Sequence, residues 1–266
     1  MGAVNPNRLR SGACAWLLTL QFFVVEAVAQ SRYAGPYSRT RDIISALGAS
    51  DSAARQLMNA SFVVQGALIL AGAILLRPVL LRGAAQVAPA LLGAAAAGVV
   101  LVGVFPTDGD ATMHAVGAVL YLVGGGLGLI AIAYAVRPRS EAVGTALALL
   151  GLVGTAATVF FLTGVTNYLG DGGTERVAAY VLPIGLASAG AALWRLAGRP
   201  ADDAAPTRSQ ERERARADRA EQDRRRDEAL IAAARPAPAR DERSGPADEV
   251  EDDDSDPWAA TPGRAD

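Results

Sequence analysis

Six apolar stretches recur along the chain at 13–29, 57–76, 87–105, 113–136, 142–165 and 177–197, separated by short polar breaks. A helix rises about 1.5 Å per residue, so runs of this length cover the ~30 Å of a bilayer's hydrocarbon. Hydrocarbon offers a backbone no hydrogen-bonding partner, and a single apolar segment satisfies its own N–H and C=O groups there only as a helix. The expected fold class is therefore all-α, a polytopic bundle of six transmembrane helices. Composition adds one thing to this: the 20% of residues that are charged crowd into the breaks and the last quarter of the chain. Three regions are expected, a short amino-terminal segment at 1–12, the membrane domain at 13–197 and a charged tail at 198–266. The tail has too little apolar surface to offset the entropy of ordering and is expected to be disordered.

The arginines set an orientation, because positive charge in short loops is retained on the cytoplasmic side. Arg8 and Arg10 precede the first run, Arg77 and Arg82 separate the second from the third, Arg137 and Arg139 the fourth from the fifth, and Arg195 and Arg199 end the sixth. Both termini are expected in the cytoplasm. The first outer loop dissents with Arg32, Arg39, Arg41 and Arg55, but it is longer than the others. All basic residues are Arg and Ala, Gly and Val abound, which reads as a GC-rich bacterial genome and a bacterial plasma-membrane protein. The amino terminus also imitates a cleaved signal peptide, with Arg8 and Arg10, an apolar stretch and Ala27-Val28-Ala29. Gln21 and Glu26 interrupt that pattern.

Within the first outer loop, Ser38 is placed to cap a short helix in which Ile43, Ile44 and Leu47 share a face and Gly48 supplies the stop. Ser50 or Asp51 is placed to cap a turn leading into the second span. In the tail, 210–235 favours a solvated helix with pairs such as Glu221 and Arg225, and 248–256 is an acidic run. The tail reads as solubilising, with docking of a cytoplasmic partner or a lipid surface as the alternative. The lone cysteine, Cys14, permits neither an intrachain disulfide nor a cysteine metal site. No cofactor, metal or nucleic-acid partner is expected. Gly117, Gly124 and Gly128, Gly144, Gly151 and Gly154, and Ala94 with Gly98 offer close helix approach, read as packing within one bundle or as a homodimer face; oligomeric state stays open.

Polar groups gather on the outer side of this topology. Glu26 lies near the outer end of the first span, Asn59 opens the second, Asp108, Asp110 and His114 sit at the third-to-fourth turn, and Asn167, Glu175 and Arg176 join the fifth to the sixth. Ionisable groups beside hydrocarbon are costly and turn inward to partners, which makes them candidates for function. Each also has a structural reading: Asp110 and Thr174 as helix caps, Glu175 at a helix amino terminus, Glu26 snorkelling, and Arg176 paired with Glu26 or Glu175. The leading functional reading is a non-enzymatic membrane protein that engages a lipid headgroup or small polar ligand through Glu26, Arg41, Asn59, Asp108, His114, Glu175 and Arg176, with Arg41 and Arg176 supplying charge. The alternatives are an outer-leaflet lipid enzyme with His114 as acid or base oriented by Asp108, and a small-solute transporter. The transporter reading is weakened by Glu26 being the only acidic residue inside a run. A Ser-His-Asp set built on Ser45 or Ser61 has no nucleophile motif to support it.

Four stretches carry a family likeness: YSRTRDIISALGA from Tyr37, LMNASFVVQGALIL from Leu57, GVFPTDGDATMHAVGA from Gly103 and GGTERVAAYVLPIGL from Gly172. Together they resemble the bacterial membrane proteins called domain of unknown function 998, over about the first 200 residues. The resemblance implies six helices and no established activity. Ala46 and Asp42 depart from the residues common at those places. Gly103, Phe105, Pro106 and His114 more distantly resemble Frag, DRAM and Sfk-type membrane proteins, which implies lipid handling by analogy alone.

Overall fold

The computed structural model describes residues 5–80, 83–196 and 208–234. Six passes long and apolar enough to cross a membrane are present, at Pro6–Ser31, Arg55–Val79, Gln86–Val104, Ala111–Val136, Glu141–Leu162 and Gly170–Leu196. The first is built from α1 (Pro6–Leu18) and α2 (Gln21–Ser31); α3 (Arg55–Leu76), α4 (Ala84–Val104), α5 (Ala111–Val136), α6 (Glu141–Leu162) and α7 (Gly170–Leu196) supply the others. The chain divides into two units, Met1–Glu213 and Arg214–Asp266. α8 (Arg208–Ala234) forms where the tail was expected to favour a solvated helix, and Glu221 pairs there with Arg224 and Arg225 at 2.8 and 3.1 Å. The acidic run at 248–256, Arg82, Arg199 and Ala197 lie outside the described residues.

Thr19 breaks the first pass. Its hydroxyl bonds the Trp16 carbonyl at 2.6 Å, and the backbone amides of Thr19, Leu20, Phe22 and Phe23 reach back three residues, not four. A hydroxyl that competes for helix carbonyls bends a helix in this way. The pass is nonetheless a full member of the bundle: Trp16 is fully buried, and its indole donates to the Ile69 carbonyl of α3 at 3.3 Å.

Small residues let the helices meet. Gly98 of α4 and Gly117 of α5 face each other, so that a Cβ on either would stand 2.5–2.7 Å from the other's carbonyl oxygen. Gly126 of α5 meets Gly151 and Thr155 of α6, Gly154 of α6 meets Val181 of α7, and Gly190 of α7 meets Ala13 and Trp16 of α1. These glycines therefore serve packing within one bundle, where dispersion between close backbones replaces the absent hydrophobic drive.

Three expected details are corrected. The sixth pass begins at Gly170, seven residues before Val177, so Asp171, Glu175 and Arg176 lie inside a helix and Glu26 is not the only acidic residue within a pass. The reason is at its start: Gly170 has φ +71°, and a Cβ at Gly170 or Gly172 would collide with the carbonyls of Thr40 and Asp42. Gly172, Thr174 and Arg176 are there buried against another segment of the protein, while Asp171 stays exposed. Thr174 consequently bonds the Gly170 carbonyl at 2.8 Å within the helix and caps nothing.

The first loop differs likewise. Its helical turn is a 3-10 helix, Ile44–Gly48, that Ser38 does not cap, and the Ser38 amide instead donates to the Asp42 carboxylate at 2.6 Å. α3 also starts without a side-chain cap from Ser50 or Asp51. Asp110 does cap α5, accepting from the amides of Thr112 and Met113 at 3.0 and 3.1 Å.

Candidate functional site

The loop between α2 and α3 is a plug set into one end of the bundle. Its ends are tied where Tyr33 bridges Ser52 and the Ala34 amide bonds the Asp51 carbonyl at 3.1 Å. Between them, Ile44, Ser45 and Leu47 of the 3-10 helix are buried. Apolar side chains drive it inward, but its backbone amides and carbonyls must then find partners away from water. The polar residues singled out in sequence supply them.

Arg176 and Glu26 form the deepest tie. The Arg176 Nε donates to Glu26 Oε1 at 3.0 Å, with side chains 6% and 1% exposed. Arg176 Nη1 donates to the carbonyls of Arg39, Asp42 and Gly172 at 2.7, 2.8 and 3.0 Å, and Nη2 donates to the Tyr37 hydroxyl at 2.5 Å. The guanidinium fork is thus filled by the protein itself. Glu26 Oε2 accepts from the Tyr180 hydroxyl at 2.6 Å, which in turn accepts from Arg39. Arg39, Tyr37 and Tyr180 were not singled out in sequence. No local signal marks them, because they join α2, the plug and α7 only through the fold.

Three further ties hold the plug. Glu175 accepts the Ile44 amide, the first of the 3-10 helix. Asn59 donates to the Gly48 carbonyl at 2.9 Å, at its last residue. Asp108 accepts the Ser50 amide at 2.8 Å, and these bonds hold its carboxyl below the usual carboxylate range. Of the seven expected site residues, five, Glu26, Asn59, Asp108, Glu175 and Arg176, therefore grip one loop. Arg41 is exposed.

Beneath the plug lies a cavity of about 40 Å³. That is room for roughly two or three water molecules. Ser45 of the plug, His114, Tyr121 and Glu175 are its polar lining, and Phe22, Phe62, Val99 and Leu122 are among its apolar walls. His114 Nδ1 lies 2.7 Å from the Phe105 carbonyl. A carbonyl only accepts, so Nδ1 carries the proton in that bond and Nε2 is left as the ring's free acceptor when the imidazole is neutral. Asp108 is spent on the Ser50 amide, so His114 and Asp108 are not brought together as an acid-base pair. Ser61 points elsewhere, donating to Gln21 at 3.0 Å. Among the described residues, no group of three or more His, Cys, Asp and Glu side chains gathers as metal ligands would.

The architecture is that of a polytopic integral membrane protein with a largely apolar, loop-plugged cavity at one end of its bundle. The chain belongs to the family described as protein of unknown function, DUF998, whose model matches residues 17–195. No curated protein matches it, and no solved structure does.

Proposed function

We propose that the protein is a non-enzymatic, membrane-embedded binding protein that holds a small polar group, from a lipid headgroup or a small solute, in the cavity under the plug. The observation that carries this reading is the cavity itself: four polar side chains in an otherwise apolar wall, roofed by a loop held in place by side chains. Concave apolar sites with a few convergent polar groups are the usual form of ligand sites. In this reading Arg176 and Glu26 hold the roof and do not touch ligand, and His114 and Glu175 face it. Arginines at the opposite end of the bundle, Arg8, Arg137 and Arg139 among them, favour a cytoplasmic placement of that end, with the plug outside. Membrane lipids are then the nearest partners.

The test is occupancy. Protein extracted into native-lipid nanodiscs is compared by mass spectrometry of its organic and aqueous extracts with Ala118→Leu, which fills the cavity without altering its polar groups. A lipid or solute enriched with the parent chain and depleted in a folded variant supports the reading. Identical profiles overturn it.

A further inference from the structure

Four features of the cavity point to the charge of its occupant. First, Glu175 is the acidic member of the lining, and among the described residues no guanidinium lies within ion-pair distance of it; the Ile44 and Ser45 amides bond it, and Arg176 acts on it electrostatically from farther off. Arg176, the next residue, sends its guanidinium to Glu26. Second, no Arg lines the cavity. Third, His114 and Tyr121 offer acceptors, while the Ser45 hydroxyl can donate or accept. The His114 Nδ1 proton is used on Phe105, leaving Nε2, and the Tyr121 hydroxyl donates to the Ala179 carbonyl at 3.2 Å, leaving oxygen lone pairs of which the Gln65 amide approaches one. Fourth, Phe22, Phe62 and Tyr121 put three aromatic rings in the wall, and ring faces attract cations.

A carboxylate in an apolar wall whose neighbouring guanidinium spends its N–H groups on other partners keeps an unfilled acceptor. An anion or a phosphate would meet Glu175 and two further acceptors, with the Ser45 hydroxyl as a side-chain donor but no cation in the wall to hold it. A group that donates several hydrogen bonds and carries positive charge would satisfy all of them. We infer that the cavity is a binding site for a protonated primary amine, with Glu175 as its counter-ion and His114 Nε2 and the Tyr121 hydroxyl as its acceptors. An ammonium group is close to a water molecule in size and fits the space, whether it is borne by a lipid such as an ethanolamine headgroup or by a free solute. This inference rests on the binding reading proposed above and gives its ligand a chemical class.

The full-length protein in phosphatidylcholine nanodiscs is titrated with methylammonium chloride while thermal unfolding is recorded. Sodium chloride, potassium chloride and methanol serve as parallel probes. Methylammonium at about ten times its Kd is expected to raise Tm by about 3 °C, and the other probes much less. Glu175→Gln is expected to weaken methylammonium binding about tenfold or more, and His114→Leu to weaken it less. Should Glu175→Gln fail to fold, Glu175→Asp keeps the charge and withdraws it by one methylene, and reduced affinity in that variant carries the same meaning. If phosphatidylethanolamine nanodiscs stabilise the protein and abolish the methylammonium response, the amine arrives on a lipid. If they leave the response unchanged, it arrives as a solute, and the inference holds in both cases. Equal responses to methanol and methylammonium that survive Glu175→Gln overturn the cationic inference and leave a neutral polar ligand standing. A stronger response to sodium or potassium overturns the amine. No response to any probe, in a protein whose co-purified extracts match those of Ala118→Leu, overturns both.

Discussion

Arg176 of α7 and Glu26 of α2 meet at 3.0 Å inside the bundle, and the same guanidinium bonds the backbone of the plug at Arg39 and Asp42. One side chain thus joins the first pass, the last pass and the loop between the first two. Removing one member of a buried pair costs about 3–5 kcal/mol when the other charge is stranded, and without Arg176 the Glu26 carboxylate keeps only the half-exposed Arg39, 3.7 Å away. Arg176→Ala is expected to unfold the protein at markedly lower temperature and to expose the plug to proteolysis. Glu26→Gln combined with Arg176→Met is expected to be less destabilised than Arg176→Ala alone, because no charge is left buried. Thermal unfolding in detergent, with limited proteolysis mapped to residues 33–54, measures both.

At the other end of the 3-10 helix, Gly48 and Asn59 are in contact, and a Cβ at Gly48 would strike the Asn59 amide. Asn59 Oδ1 is buried without a hydrogen-bond partner, so the amide is held for its bond to the Gly48 carbonyl. Overpacking costs about 1–3 kcal/mol. Gly48→Ala is expected to be destabilised within that range, and Asn59→Ala to be destabilised by loss of the tether. The double variant should be more stable than the sum of the two losses predicts, with a coupling of about 1 kcal/mol. A double-mutant cycle in which the losses simply add would remove this account of the pair.

The Asp108 carboxyl is held below its usual range first by the Ser50 amide and then by the Ser50 side chain. A group whose folded pKa is depressed contributes stability that is present above its unfolded pKa and lost as pH falls through the folded one. The tether should therefore hold at neutral pH and weaken at acid pH, below the ordinary carboxylate range. Protection of the Ser50 amide against hydrogen exchange, corrected for intrinsic rates, is expected to fall there. Asp108→Asn should remove that dependence.

Burial pushes the Tyr37 hydroxyl up to about 12, with Arg176 acting in the opposite direction. Here the sign reverses: the contribution is full below the ordinary tyrosine pKa near 10 and is lost as pH rises through the folded value. The parent protein is expected to lose plug protection between about pH 10 and 12. Tyr37→Phe should show a looser plug at neutral pH and no further loss from this group, as read by tyrosinate absorbance and proteolysis together.

The α4–α5 contact gives a test of packing. Gly117→Val places a branched side chain against the Gly98 carbonyl and the Val102 backbone, whereas a Cβ at Gly93 meets nothing within 4 Å. Gly117→Val is expected to cost at least the ~1–3 kcal/mol of ordinary overpacking, since backbone cannot swing aside as a side chain can. Gly93→Ala is expected to be neutral or slightly stabilising through helix propensity. Equal Tm values for the two would contradict the close approach.

Apolar length made the six passes legible, because spanning hydrocarbon demands a run of apolar residues that local sequence either has or lacks. The cap at Asp110 was legible for a similar reason: a carboxylate reaches amides two and three residues ahead whatever surrounds it. Glu26, Asn59, Asp108, Glu175 and Arg176 could be singled out because polar groups beside apolar runs are costly. Their common attachment to one loop could not, since their partners lie as far as 150 residues away in sequence. The start of the last helix is hidden in sequence on the same grounds, as Gly172, Thr174 and Arg176 are buried by contact with the plug and not by any property of their own segment.

Local sequence dictates an all-helical, six-pass membrane domain and the set of polar residues that have to find partners within it. Only the tertiary structure decided which partners they found: Arg176 is saturated by the plug and Glu26, Arg41 stays exposed, and Glu175 and His114 are left facing a cavity. Hydrocarbon enforces pass length locally, residue by residue. Electrostatic pairing of buried groups depends on distances that exist only once the helices have packed.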